Sequence, residues 1–195
     1  MIYLLRHGRT AMDTVDRSDG WIDLPLSDVG RLGIIAAQQR LKDVPLKAIY
    51  APPLRRTQET AHIIRSGVLS EPKIITADAA ITWDLGKLSG MSKRYSRPEV
   101  HKLIAHPAVC APGGESYAKF GRRYMPWFYG RMASAKKPFL IIGSGSNFRL
   151  LGDKLFGDPD SLNLDEGGLA TLKHIGGDWR KEILLGAEDT SHYES

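Results

Sequence analysis

The first ten residues constrain this chain most. Met1-Ile2-Tyr3-Leu4-Leu5 is mostly apolar and of strand type, and it runs straight into Arg6-His7-Gly8. Such a strand delivers Arg6 and His7 to its own C-terminal edge, which is where open α/β sheets bind ligands. A histidine placed there can be a nucleophile, a general base or a metal ligand. The adjacent guanidinium, which cannot lose its charge, argues for an anionic ligand. Gly8 lets the chain turn sharply and lets a ligand approach the backbone. The same residues also suit an ordinary strand end with polar caps, so the rest of the chain has to decide.

A second unit of the same kind lies at 138–151. Pro138-Phe139-Leu140-Ile141-Ile142-Gly143 is the cleanest buried strand in the sequence. The small residues Ser144-Gly145-Ser146-Asn147 follow as a turn, and a helix begins at Phe148-Arg149-Leu150-Leu151. That turn is expected on the same sheet edge as His7. Between the two units, Ala11 to Gly20 reads as a polar surface loop, and Ser27 caps a helix over about 28–42. Lys47-Ala48-Ile49-Tyr50 is a short strand stopped by Pro52-Pro53, and a helix over 54–66 follows. Arg55 and Arg56 fall in its first turn, where they oppose the helix dipole and call for a carboxylate or a phosphate nearby. A third strand is Lys73-Ile74-Ile75-Thr76. From about 77 to 137 prolines and a Gly-Gly pair break the pattern around two helical stretches, which reads as an insertion over one end of the sheet that sets specificity. Two terminal strands meet at Gly176-Gly177-Asp178, and the tail from Gly186 is expected to fray. These elements predict one domain: a three-layer α/β/α sandwich with a mostly parallel central sheet and a small, mainly helical insertion over its C-terminal edge.

Composition narrows the function classes. With 27 basic and 22 acidic residues the formal charge is +5, which suits anionic partners, but no Lys/Arg block marks a nucleic-acid arm. Cys110 is the only cysteine, so neither an intrachain disulfide nor a cysteine-rich metal site can form. Without a signal-peptide pattern or an apolar run of membrane-spanning length, a cytoplasmic location and no membrane partner are expected. A homodimer is compatible with all of this.

Four motifs in order carry a resemblance. Leu5-Arg6-His7-Gly8, then Gly20-Trp21-x-Asp23-x-Pro25-Leu26-Ser27-x-x-Gly30, then Tyr50-Ala51-x-Pro53-Leu54-x-Arg56-Thr57-x-x-Thr60-Ala61, and Pro112-Gly113-Gly114-Glu115-Ser116 are similar to those of the histidine phosphatase superfamily, the phosphoglycerate-mutase-like fold. The resemblance spans nearly the whole chain. It implies that His7 attacks phosphorus in line and carries the phosphoryl group until water removes it, with Arg6 and Arg56 clamping the phosphate. Neutral imidazole is a good nucleophile, and phosphoryl transfer needs chiefly positioning and positive charge on the equatorial oxygens. Guanidinium groups supply that charge, so no metal and no cofactor is implied. Asp13 stands where many members have an asparagine touching the phosphate; a carboxylate there needs a partner, for which Arg9 or Arg17 is expected.

Two departures bear on turnover. Anchoring on Gly145 and Arg149 puts Ser144 at the family's second histidine, so that Ser144 and Gly145 would still contact the phosphate but without a positive charge. Losing one preorganised transition-state donor costs about 3 to 4 kcal/mol, on the order of a hundred- to a thousand-fold in rate. Thr82 aligns with the glutamate that commonly protonates the leaving group, which makes Asp84 the nearest candidate acid and Glu115 another. The resemblance therefore implies a phosphomonoester hydrolase impaired at Ser144. The alternative is a non-catalytic protein that sequesters or senses a small phosphorylated ligand in the same pocket. Lys93, Arg94, Tyr95, Arg97 and His101 of the insertion either reach over that pocket or form a solvated basic face.

Overall fold

The computed structural model describes residues 1–134 and 136–186. Its six-stranded sheet runs in the order β3-β2-β4-β1-β5-β6, with β1 (Ile2–Arg6), β2 (Ala48–Ala51), β3 (Lys73–Thr76), β4 (Phe139–Gly143), β5 (Leu169–Ile175) and β6 (Asp178–Leu185). The first four pair in parallel; β5 is antiparallel to β1, and β6 to β5. Side chains alternate across the sheet with period two, and this divides the core in two. Ile2, Leu4, Phe139 and Ile141 face one side, while Leu5, Leu140 and Ile142 face the other.

The second face is covered by α2 (Asp28–Leu41) and α3 (Arg55–Gly67), through Ile34, Leu41, Ala61 and Ile64. The first face is covered by α6 (Gly145–Phe156) and α5 (Tyr117–Ser134), which buries Tyr117, Phe120, Tyr124 and Phe128. Within the 77–137 stretch, then, α5 forms part of a sheet-covering layer. The parts that reach the cleft at the sheet edge are α4 (Lys93–Ala105) and the loop residues Thr82 and Leu85.

Helix α2 occupies 28–41 and is capped at Ser27, whose Oγ accepts from Gly30 N at 3.0 Å. Helix α6 starts at Gly145, earlier than the sequence suggests. The Asn147 side chain accepts from Ser144 N at 2.9 Å, so the small polar residues form a capped first turn. A short helix, α1 (Ala11–Thr14), lies within the expected loop and is capped by Thr10.

Gly8 matters for a different reason from the turn expected of it. A Cβ on Gly8 would lie 2.5 Å from Gly30 O, and one on Gly30 would lie 2.0 Å from Arg9 O. Helix α2 is thus seated backbone to backbone on the segment that follows His7. Both opposing atoms are main chain, so no rotamer change relieves the clash. Gly30→Ala is expected to lower unfolding stability by on the order of 3 kcal/mol, read as the shift of a urea transition.

Candidate active site

His7 continues the β1–β4 ladder by one step, its N–H donating to Gly143 O at 3.0 Å. Its ring is 3% exposed. Nδ1 lies 2.8 Å from Gly8 O, a carbonyl that can only accept, so the proton sits on Nδ1 and Nε2 carries the lone pair. Burial, and then the Arg56 guanidinium, lower the imidazole pKa to about 3, against an opposing pull from Asp13. The ring is neutral at physiological pH.

Arg56, in the first turn of α3, is completely buried. Its Nε–H donates to His7 Nε2 at 3.3 Å, and its terminal nitrogens donate to Ile22 O at 2.8 Å and Gly20 O at 2.7 Å. Asp19 Oδ2 lies 3.6 Å from Nε. That carboxylate is the compensation that a first-turn arginine calls for. Arg55 is exposed, and its N–H donates to Asp23 Oδ1 at 2.7 Å.

Arg6 donates to Leu164 O at 2.7 Å and pairs with Glu166 at 2.5 Å. Glu166 also meets Lys93 at 3.3 Å, and Lys93 reaches Asp13 at 2.9 Å. The partner of Asp13 is therefore Lys93, from α4, where Arg9 or Arg17 was expected; the Arg17 guanidinium donates instead to Gly90 O at 2.7 Å. Burial works to raise the Glu166 pKa, but Arg6 and Lys93 outweigh it and hold the carboxyl well below the usual range. Asp19 moves the other way. Burial and then Asp13 raise it to about 6, against Arg56 and the Thr10 hydroxyl.

These groups line a cleft of about 440 Å³ at the C-terminal end of β1 and β4. Ser144, Gly145 and Ser146 bring to it the N-terminus of α6, the positive end of that helix's dipole. Arg6, His7, Asp13, Arg56, Ser144 and Gly145 are thus brought together as the sequence suggests, and Thr82 is beside them. Asp84 is not. Its Oδ1 accepts from Gly86 N at 3.0 Å, which holds the following 3-10 turn, Gly86–Leu88. Glu115 is committed to Arg123 at 2.6 Å. Helix α4 presents Lys93, Ser96, Arg97, Val100 and His101 to the cleft, whereas Arg94 and Tyr95 do not line it.

Residue-level reading of the sequence missed Thr10, Asp19 and Glu166. Asp19 was hidden in an apparently generic polar loop, and its one signal was its place directly before the Gly20-Trp21 motif. Nitrogen and oxygen atoms of His7, Asp13 and Asp19 lie within 4.8 Å of one another, a spacing that could hold a cation. Lys93 already sits on Asp13 and Arg56 on His7, so these groups are engaged by the protein's own cations. What the cleft offers a guest is guanidinium and amide N–H groups around a neutral imidazole.

A sheet with this order and a buried histidine between two arginines define the class. The profile of the histidine phosphatase superfamily (branch 1) matches residues 2–184, and the chain belongs to that family. Among its relatives, the 2,3-bisphosphoglycerate-dependent phosphoglycerate mutase of Bartonella bacilliformis is 29% identical over 161 residues, covering 77% of this chain and 78% of that protein. The fold is that of the phosphoglycerate mutase from Bacillus anthracis (TM-score 0.79, 16% identity, 100% of this chain and 96% of that one). It is also that of a mycobacterial glucosyl-3-phosphoglycerate phosphatase (TM-score 0.76, 23% identity, 95% and 98%). Among the described residues, no helix is long and apolar enough to cross a membrane.

Proposed function

We propose that this chain is a phosphomonoester hydrolase that works through a phosphohistidine on His7. The observation that carries the reading is the fixed tautomer of a buried, neutral imidazole: Nδ1–H is held by Gly8 O, Nε2 carries the lone pair beside Arg56, and His7 lines a cleft shared with Arg6, Arg56 and the α6 N-terminus. Nε2 attacks phosphorus while the cations and amides take up charge on the equatorial oxygens. The Gly8 carbonyl stabilises the positive charge that the ring acquires. Water then attacks the phosphohistidine and frees inorganic phosphate. Named relatives are mutases, but Thr82 occupies the place of the proton-transferring glutamate, which favours release to water.

A second reading, a phospholigand-binding protein without turnover, is favoured by Ser144, which keeps a polar contact but supplies no charge. Ser144→His separates the two. Under the hydrolase reading it raises turnover of p-nitrophenyl phosphate by on the order of a hundred-fold. If neither form releases phosphate or carries acid-labile phosphorus on His7, while a phosphorylated ligand still binds, the enzyme reading is lost.

A further inference from the structure

The hydrolase reading leaves the leaving group without the proton donors that the sequence suggests, because Thr82 is too weak an acid, Asp84 lies off the cleft and Glu115 is paired with Arg123. Building on that reading, we infer that Asp19 is the catalytic general acid, donating from its carboxyl to the departing ester oxygen.

Proton placement follows from the donors around two neighbouring carboxylates. Asp13 accepts from Thr10 N at 3.0 Å and is paired with Lys93 at 2.9 Å. Asp19 accepts on Oδ1 from the Thr10 hydroxyl at 2.9 Å. The nearest cation to Oδ2 is Arg56 Nε at 3.6 Å, and that N–H is directed at His7. A hydroxyl has one proton to give, and Asp13 already has an ammonium group. Asp19 is therefore the carboxyl that keeps its own proton; the residue lines the same cleft as His7, and one of its oxygens lies within 4.8 Å of a nitrogen of the His7 ring. The charged groups facing it are Asp13 from α1, Arg56 from α3 and Lys93 from α4, and the titratable but neutral His7 faces it from the end of β1. A bound phosphate dianion adds another negative neighbour and strengthens the protonated form.

The step balances. His7 Nε2 forms the N–P bond, the P–O ester bond breaks, and the electron pair left on oxygen takes the Asp19 proton as the alcohol departs. The carboxylate then removes a proton from the water that attacks phosphorus. The P–N bond breaks, its electron pair returns to Nε2, and Asp19 is again an acid when phosphate leaves.

Asp19→Asn keeps the shape and removes the proton. Its rates on dinitrophenyl phosphate, whose leaving group needs no proton, and on β-glycerol phosphate, whose leaving group does, form the test. The expected result is a loss on the order of 10²- to 10⁴-fold on the alkyl ester and less than about ten-fold on the dinitrophenyl ester. The wild-type alkaline limb, set by the carboxyl with a pKa of about 6, should also be absent from the variant. Retained dinitrophenyl turnover reports an intact site, and Asp19→Glu should recover part of the alkyl rate. Equal losses on both esters, an unchanged alkaline limb, or a leaving-group effect that follows His101→Asn instead would overturn the assignment of Asp19 alone. A wild type that hydrolyses neither ester and carries no phosphorus on His7 overturns the hydrolase reading, and this inference with it.

Discussion

His7→Ala is expected to abolish phosphate release, lowering turnover of an aryl phosphate by on the order of 10⁴-fold or more, because the imidazole that attacks phosphorus is gone. Loss of a nucleophile differs from loss of a binding contact in what it leaves behind. Arg6, Arg56 and the α6 N-terminus all remain, so the variant should still bind inorganic phosphate or a slow ester while forming no acid-labile phosphoenzyme. Rapid acid-free quench after mixing with labelled substrate, followed by denaturing electrophoresis, reads the intermediate directly; phosphate release reads the rate. Wild-type rates in the variant would exclude His7 as the nucleophile.

Arg56→Ala is expected to cost the fold about 3 to 5 kcal/mol as well as the activity. The side chain is fully buried, and its loss strands the carbonyls of Gly20 and Ile22 and removes the cation facing Asp19. Arg56→Lys should recover little, since a single ammonium cannot hold two carbonyls and meet the imidazole in one plane. The pH dependence has a definite sign. The folded pKa of Asp19, about 6, lies above its unfolded value of about 3.9, so the protonated group favours the fold at low pH and costs stability as pH rises through 6. Without Arg56 the folded value rises further, and the deficit should be larger at about pH 7 than at about pH 5. Urea titrations of both variants at the two pH values check this.

Much of the fold was legible because its signals are local. The run from Ile2 to Arg6 and the wholly apolar run from Phe139 to Gly143 read as strands, and Ser27 announced α2. Arg56 was legible too, as a charge in the wrong place on a helix. Helix α5 was harder to place as a covering layer, because Pro126 and Gly121 interrupt a ridge of aromatics that becomes continuous only when packed. The start of α6 was missed because Ser144 to Asn147 have turn composition, and only the Asn147 cap makes them a helical turn. Polar partners in the site were least legible. Asp19 meets Arg56 from 37 positions away, and Glu166 meets Arg6 from 160. No periodicity encodes such pairings, so sequence proximity to Thr82 favoured Asp84, whose carboxylate holds a turn.

The pairing of Arg6 with Glu166 and of Lys93 with Asp13 has a consequence for how the cleft empties. An arriving anion meets cations that already have carboxylate partners, so it gains only the difference between two ion pairs. Free phosphate has only these shared cations, Arg56 and the α6 N-terminus to hold it. Under the hydrolase reading, an ester adds contacts of its alcohol portion with Val100, Arg97 and His101, the α4 residues that line the cleft. On that reading the built-in carboxylates favour entry of an ester over lingering of phosphate, and resist clogging of the cleft where inorganic phosphate is abundant.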